Sequence, residues 1–224
     1  MNIFDIIGPV MIGPSSSHTA GAVRIGRVSW KILGEDVIQA DIGLAGSFAL
    51  ACKGHGTDKA LIAGILGMKV DDDRIPHSFE IAADLGLSYQ FSEISIPHTH
   101  PNTAVLHLRG IRGTECTVQG VSIGGGNVII SKINGMDAVF SGAQDTLIIA
   151  HHDTPGVIAS VTSQLAKSGA NIGNFRLSRP QKGKLAIMTI EMDSGIEKST
   201  VNELRALPDI TSVIYMQESY HAGV

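Results

Sequence analysis

The chain has 224 residues, 43% of them hydrophobic but only 4% aromatic, and a formal net charge of -4. That length allows one domain of ordinary size or two small ones around an aliphatic core, and the composition is not that of a disordered chain. The sequence has no dense Lys/Arg run to bind nucleic acid, no apolar run near the ~20 residues that span a bilayer, and no basic start before the acid in MNIFDIIGPV. No nucleic acid and no membrane are therefore expected as partners, and a cytoplasmic location is expected. Cys52 and Cys116 are the only cysteines and form no C-x-x-C pair. Alone they complete neither a structural zinc site nor the four-thiolate set of an iron–sulfur cluster.

The first informative stretch is GPVMIGPSSSHTAG, residues 8–21. Pro14 breaks any preceding helix, and Ser15, Ser16 and Ser17 then stand at the start of a new one. Serine hydroxyls and unpaired amides at a helix start make a compact anion site, suited to a small carboxylate. His18 lies about one turn in, where its imidazole can exchange a proton with whatever is bound. The same residues also read as a plain cap, with His18 on the surface. Ser17 and His18 are poor nucleophile–base partners, because adjacent helical residues point apart, and no G-x-S-x-G elbow is present.

Along the first part, AGAVRIGRVSWKIL spaces Ala22, Ile25, Val28 and Ile32 as a helix does. A strand is predicted over 37–46. A helix is predicted over 59–68, with Leu61, Ile62, Ile65 and Leu66 on one face and Thr57 or Asp58 as its cap. A further helix is predicted over 75–86, ended by Gly86. YQFSEISI and TAVLHLRG read as strands, and CTVQGVSIGGGNVIISKING as strand, turn, strand. His55 sits in a glycine-flanked loop that allows close backbone approach. His98, His100, Asn102 and Thr103 cluster beside two prolines. The His98-x-His100 spacing is a weak metal signal without a carboxylate or Cys at matching spacing.

From about 146 the pattern is cleaner. TLIIAHHD is a strand, and TPGVIASVTSQLAKSG is a helix with Ile158, Val161 and Leu165 on one face. NIGNFRLSRP alternates, with Phe175 and Leu177 on one side. KLAIMTIEMD is a strand, EKSTVNELRALPD a helix with Val201 and Leu204 inward, and ITSVIYMQ the last strand. This βαββαβ order predicts a ferredoxin-like unit. The expected fold class is thus α+β: a mixed α/β domain over 1–143, then the ferredoxin-like domain over 146–224, with the boundary near Ser141–Asp145.

DTPGVIASVTSQLAKSGANIGNFRLSR resembles an ACT domain, through D-x-P-G at the strand–helix junction and ANI entering the next strand. The resemblance implies an amino-acid effector at a dimer interface, contacted by Asp153, Gly156, Asn171 and Ile172, and self-association through this domain. The residues also allow a plainer reading, with Asp153 capping the helix and Asn171 easing a tight turn.

GPSSSHTAGA, GSFALACKGHGTDKAL, HPNT and SIGGGN, in this order and followed by the ACT-like tail, resemble the β chain of bacterial iron–sulfur L-serine dehydratase. The resemblance spans essentially the full chain. It implies elimination of water from L-serine to give pyruvate and ammonia. It also implies a partner α chain that carries a [4Fe–4S] cluster, with no metal held in this chain and no activity alone. The implied catalytic residues are His18 and His55. The implied substrate contacts are Ser15, Ser16, Ser17, Thr19, Asn102 and Thr103. The first domain is also similar to the allosteric substrate-binding domain of some serine-pathway dehydrogenases, which implies an alternative: a regulatory subunit that binds L-serine or another amino acid without catalysis.

Overall fold

The computed structural model describes residues 10–217, so Gly8 and Pro9 of the opening motif lie outside the described residues. Contacts divide the chain into two compact units between Asn134 and Gly135.

In the first unit, Ser15 caps a π-helical turn, Ser16–Ala20, that runs into α1, Gly21–Leu33. Ala22, Ile25, Val28 and Ile32 are all buried, as their helical spacing requires. Strand β1, Val37–Ala45, is followed by one turn of helix, α2, Ser47–Leu50, which the sequence reading lacks. Helix α3, Thr57–Ile65, starts earlier than expected. Neither Thr57 nor Asp58 caps it; Gly56, at φ 66°, opens it with no side-chain bond. The helix expected over 75–86 splits into a 3-10 turn, Ile75–His77, holding Pro76, and α4, Ser78–Asp84.

Strands β2 (Ser88–Glu93), β3 (Thr103–Gly110), β4 (Glu115–Gly124) and β5 (Asn127–Ile133) complete the unit. The first five strands lie in the order β2-β1-β3-β4-β5. β1 runs parallel to β2 and antiparallel to β3, so the helices α2–α4 form the crossover between the parallel pair. Ile42, Leu44, Leu106, Leu108, Val118 and Ile130 bury alternate positions of these strands.

Helices α1 and α3 meet backbone to backbone. A Cβ on Gly26 would stand 2.4 Å from the Leu61 carbonyl oxygen, and one on Gly64 only 2.1 Å from that of Val23. Gly120 gives Ile25 the same close seat against β4, since a Cβ there would lie 2.7 Å from the Ile25 side chain.

Just after α1, the carboxylate of Glu35 is buried and accepts three hydrogen bonds. They come from the backbone N–H of Arg112 at 2.7 Å, its Nε at 3.0 Å and the N–H of Thr114 at 3.1 Å. This ties the end of α1 to the β3–β4 turn. The Thr114 and Arg112 bonds outweigh burial and hold the Glu35 carboxyl at about 2, well below its ordinary 4.5.

The second unit opens with β6, Met136–Phe140, and continues β7 (Asp145–His152), α5 (Val157–Lys167), β8 (Ile172–Ser178), β9 (Leu185–Met192), α6 (Lys198–Arg205) and β10 (Ile210–Met216). The sheet order β10-β7-β9-β8, antiparallel throughout, is the ferredoxin-like arrangement expected from βαββαβ. Leu147, Ile149, Val161, Leu165, Met188, Ile190, Val201 and Leu204 form its core. Two expectations fail in detail. Ile158 is exposed, because Val157, not Ile158, shares the buried stripe of α5 with Val161 and Leu165. Leu177 is also exposed, because it lies on the edge strand β8, where Phe175 alone of the pair packs on the core.

Two measurements check this account. Gly64→Ala should cost about 1–3 kcal/mol, since the methyl meets a carbonyl that cannot rotate away. Gly54→Ala, with only the Ala51 carbonyl at 3.9 Å, should leave the urea midpoint unchanged. Glu35→Gln should lower the melting temperature near neutral pH. Because the folded-state value is depressed, that gap should be full above about 4.5 and should close as pH falls toward about 2.

Candidate functional site

The serine run starts a helix, and the structure shows what each residue does there. The Ser15 hydroxyl accepts the backbone N–H of His18 at 3.1 Å. The N–H groups of Ser16 and Ser17 open the turn, ahead of any intrahelical acceptor. Ser15, Ser16, Ser17 and His18 are all half-buried. The wide π-turn carries the His18 ring away from Ser17 and over Ser15: Nδ1 lies 3.5 Å from Ser15 Oγ, and Nε2 lies 3.0 Å from Ser47 Oγ.

Two further segments converge on His18. The His55 ring, in the loop before α3, lies 5.0 Å from it between centroids, and the buried Phe48 ring lies 5.5 Å away. The hydroxyl of Thr19 donates to the His55 carbonyl at 3.1 Å, which ties the loop to the turn. Thr19 itself is buried. Ser47 and Phe48 are set by a sharp strand-to-helix turn: Gly46 takes φ 54°, and a Cβ there would stand 2.9 Å from Pro101 Cα. The Phe48 N–H donates to the Pro101 carbonyl at 3.2 Å.

Burial lowers the pKa of His18 below the ordinary 6.5, the charge of His55 lowers it further, and a backbone hydrogen bond with Ser47 opposes both. The imidazole is therefore neutral, and able to accept a proton, over a wider pH range than a solvated histidine.

The β4–β5 turn lies on the same side. Gly124, Gly125 and Gly126 take φ of 98°, 61° and 79°, a run that only glycine adopts without strain. Arg24 Nη1 donates to the Gly126 carbonyl at 2.6 Å, and a Cβ on Gly124 would lie 3.9 Å from Ser17 Oγ. Ser122 is buried against Gly21, where a Cβ would stand 2.2 Å from its hydroxyl. Asn102 reaches this side through Ser122: its carbonyl accepts the Ser122 N–H at 3.0 Å, and its Nδ2 donates to the Ser122 carbonyl at 3.4 Å.

Thr103 differs from the others. It is fully buried, and its hydroxyl donates to the His100 carbonyl at 2.6 Å and lies 3.0 Å from that of Thr99. That geometry fixes the 99–103 loop. His98 and His100 are exposed, and His100 Nδ1 accepts the Asn102 N–H at 3.1 Å. Sequence reasoning thus singled out both histidines and the serines, and missed Ser47, Phe48 and Arg24. The readable signal for Ser47 was a Gly-Ser pair between a strand and a large apolar residue.

In the second unit, Asp153 neither caps α5 nor stands open. Its carboxylate accepts the Gly183 N–H at 2.8 Å and Arg179 Nη1 at 3.3 Å, and these contacts hold it below the usual carboxylate range. Gly156, exposed at φ 93°, opens α5. Asn171 donates to the Asp193 carboxylate, and Ile172 packs on the core. The two pairs stand at opposite ends of an 11-residue helix, about 16 Å apart.

Among the described residues, no group of three or more His, Cys, Asp or Glu is arranged to hold a metal. Burial pushes up the thiols of both Cys52 and Cys116, the latter to about 12. Two protonated thiols do not fit the donor set of a four-thiolate cluster.

Residues 2–85 match the family described as serine dehydratase beta chain, and residues 146–209 match the ACT domain. The chain is 43% identical over 212 residues to the probable L-serine dehydratase, beta chain, of Bacillus subtilis (strain 168), covering 95% of this chain and 96% of that one. It is 38% identical over 215 residues to the L-serine dehydratase, beta chain, of Peptoniphilus asaccharolyticus, covering 96% and 97%. D-3-phosphoglycerate dehydrogenase of Bacillus subtilis (strain 168) is 32% identical over 156 residues, which is 69% of this chain but 30% of that enzyme. Likeness over nearly the whole of two beta chains, with the serine-rich turn inside the matched family segment, places this chain in the L-serine dehydratase beta-chain family.

Proposed function

We propose that this chain is the β subunit of an L-serine dehydratase, which converts L-serine to pyruvate and ammonia in the cytoplasm as a heterodimer with an α chain. The observation that carries the reading is the His18 ring seated over a serine-rich helix start, with His55 beside it. In this reading the amides of Ser16 and Ser17 and the run's hydroxyls hold the substrate carboxylate at the positive end of the helix. His18 moves the proton, and His55 is the second catalytic histidine. Asn102 helps position substrate. Thr19 and Thr103 act from behind, by fixing the His55 loop and the 99–103 loop.

The [4Fe–4S] cluster belongs to the α chain, because the two thiols of this chain do not fit it. The chain alone is then inactive. The functional domains are taken as 1–143 and 146–224. The ACT domain binds an amino-acid effector and mediates self-association. Since Asp153 and Gly156 stand one helix length from Asn171 and Ile172, one small ligand reaches both pairs only with a second copy of the domain.

A regulatory reading has one observation in its favour, the likeness to a dehydrogenase segment across two thirds of the chain. Under that reading the first domain binds L-serine without turning it over.

The test is anaerobic reconstitution with the α chain. An active complex should form pyruvate from L-serine, and His18→Ala should lower kcat roughly 10²–10⁴-fold, the usual share of a general acid–base group. Near wild-type turnover in that variant would remove its catalytic role. A chain that recruits no partner, but melts higher with L-serine, would favour the regulatory reading. In the active complex, kcat/KM should fall on the acid side only below the ordinary histidine value of 6.5, and His55→Asn should move that limb upward.

A further inference from the structure

The π-turn leaves His18 with two hydroxyl neighbours, and their geometry is unequal. Ser47 Oγ lies 3.0 Å from Nε2, an ordinary hydrogen-bond length. Ser15 Oγ lies 3.5 Å from Nδ1, at the outer limit, and already accepts the backbone N–H of His18 at 3.1 Å. A hydroxyl can donate or accept, so the tautomer is set by the two neighbours together. Ser15 Oγ takes the backbone N–H of His18 as acceptor, so the hydrogen it carries is what it turns to Nδ1, which acts as acceptor. Nε2 then carries the ring hydrogen and donates it to Ser47 Oγ. A proton on Nε2 leaves Nδ1 as the basic nitrogen, turned toward Ser15 and the start of the serine run.

Ser47 is also held firmly. Gly46 adopts a conformation closed to other residues by Pro101, and the next residue, Phe48, is fully buried with its N–H on the Pro101 carbonyl. Among the described residues, His55 is the one titratable group with a ring against His18. Among the described residues no carboxylate is hydrogen-bonded to the imidazole, so the Ser47 hydroxyl stands where many histidine bases have an acid.

We infer that Ser47 is a positioning residue that holds His18 in its Nε2–H form, so that Nδ1 is the atom that exchanges a proton over the serine run. This rests on the assignment of His18 as the proton-transfer group, and it names the nitrogen and the residue that selects it.

The test reads the tautomer directly. In the full chain labelled with ¹⁵N, long-range ¹H–¹⁵N correlations across the His18 ring, taken where the imidazole is neutral, should show Nε2 protonated and Nδ1 bare. Ser47→Ala should spread the ring over both tautomers, and Ser47→Thr should restore the wild-type pattern. In the reconstituted complex, Ser47→Ala should lower kcat roughly 10- to 100-fold, as loss of a histidine's orienting partner does, with KM little changed. A wild-type ring protonated on Nδ1 would overturn the inference, whether or not the variants fold. So would an unchanged tautomer and kcat in Ser47→Ala. If the wild-type complex made no pyruvate, the dehydratase reading would fall, while the spectrum of the chain alone would still decide which ring nitrogen carries the hydrogen beside Ser47.

Discussion

The close crossing of α1 and α3 is the constraint on which the first unit depends. Each helix presents a glycine to the other's carbonyl, Gly26 to Leu61 and Gly64 to Val23. Backbones that touch in this way can slide or rotate little, because any side chain in the gap would collide. Both helices begin at the same end. The π-turn with His18 leads into α1, and the loop with His55 leads into α3, so the crossing fixes the two histidines 5.0 Å apart. A site carried on a turn and a loop thereby gains the precision of a packed core.

The other walls follow the same logic of backbone proximity. Gly46 turns β1 into α2 under Pro101, which delivers Ser47 to His18. Gly21 lies flat against Ser122, which brings the β4–β5 hairpin and its three left-handed glycines beside the serine run. Glycine's abundance before residue 135 thus has a local cause at these positions: they are where chain segments touch without side chains between them. The Glu35 carboxylate has a different task. Three hydrogen bonds to one turn make it a structural anchor, and its depressed titration reflects that satisfaction rather than reactivity.

The second unit contrasts with the first. Its candidate ligand contacts are taken up by partners of the same chain: Asp153 by Gly183 and Arg179, and Asn171 by Asp193. These groups brace the turns at either end of α5. An effector there must displace such bonds or share their free lone pairs, and it draws on two copies to meet both ends of the helix.

The sequence by itself determined the ferredoxin-like unit, since βαββαβ with one buried stripe per helix admits few other packings. It also determined α1, whose apolar spacing is unbroken, and it marked the serine run, His18 and His55 by residue type. It misjudged Ile158 and Leu177, because periodicity names a stripe but not which of two adjacent apolar residues centres it, nor that β8 is an edge. Only the tertiary structure decided the partner of His18. Ser47 is 29 residues away, and no local pattern records a contact made by a helix crossing and a Gly-Ser turn. Likewise, Thr103 looked like a substrate contact in HPNT, yet burial gives its hydroxyl to the loop. Local rules fix what a segment prefers to be; which side chains meet depends on how the segments' backbones approach, and here glycines set that distance.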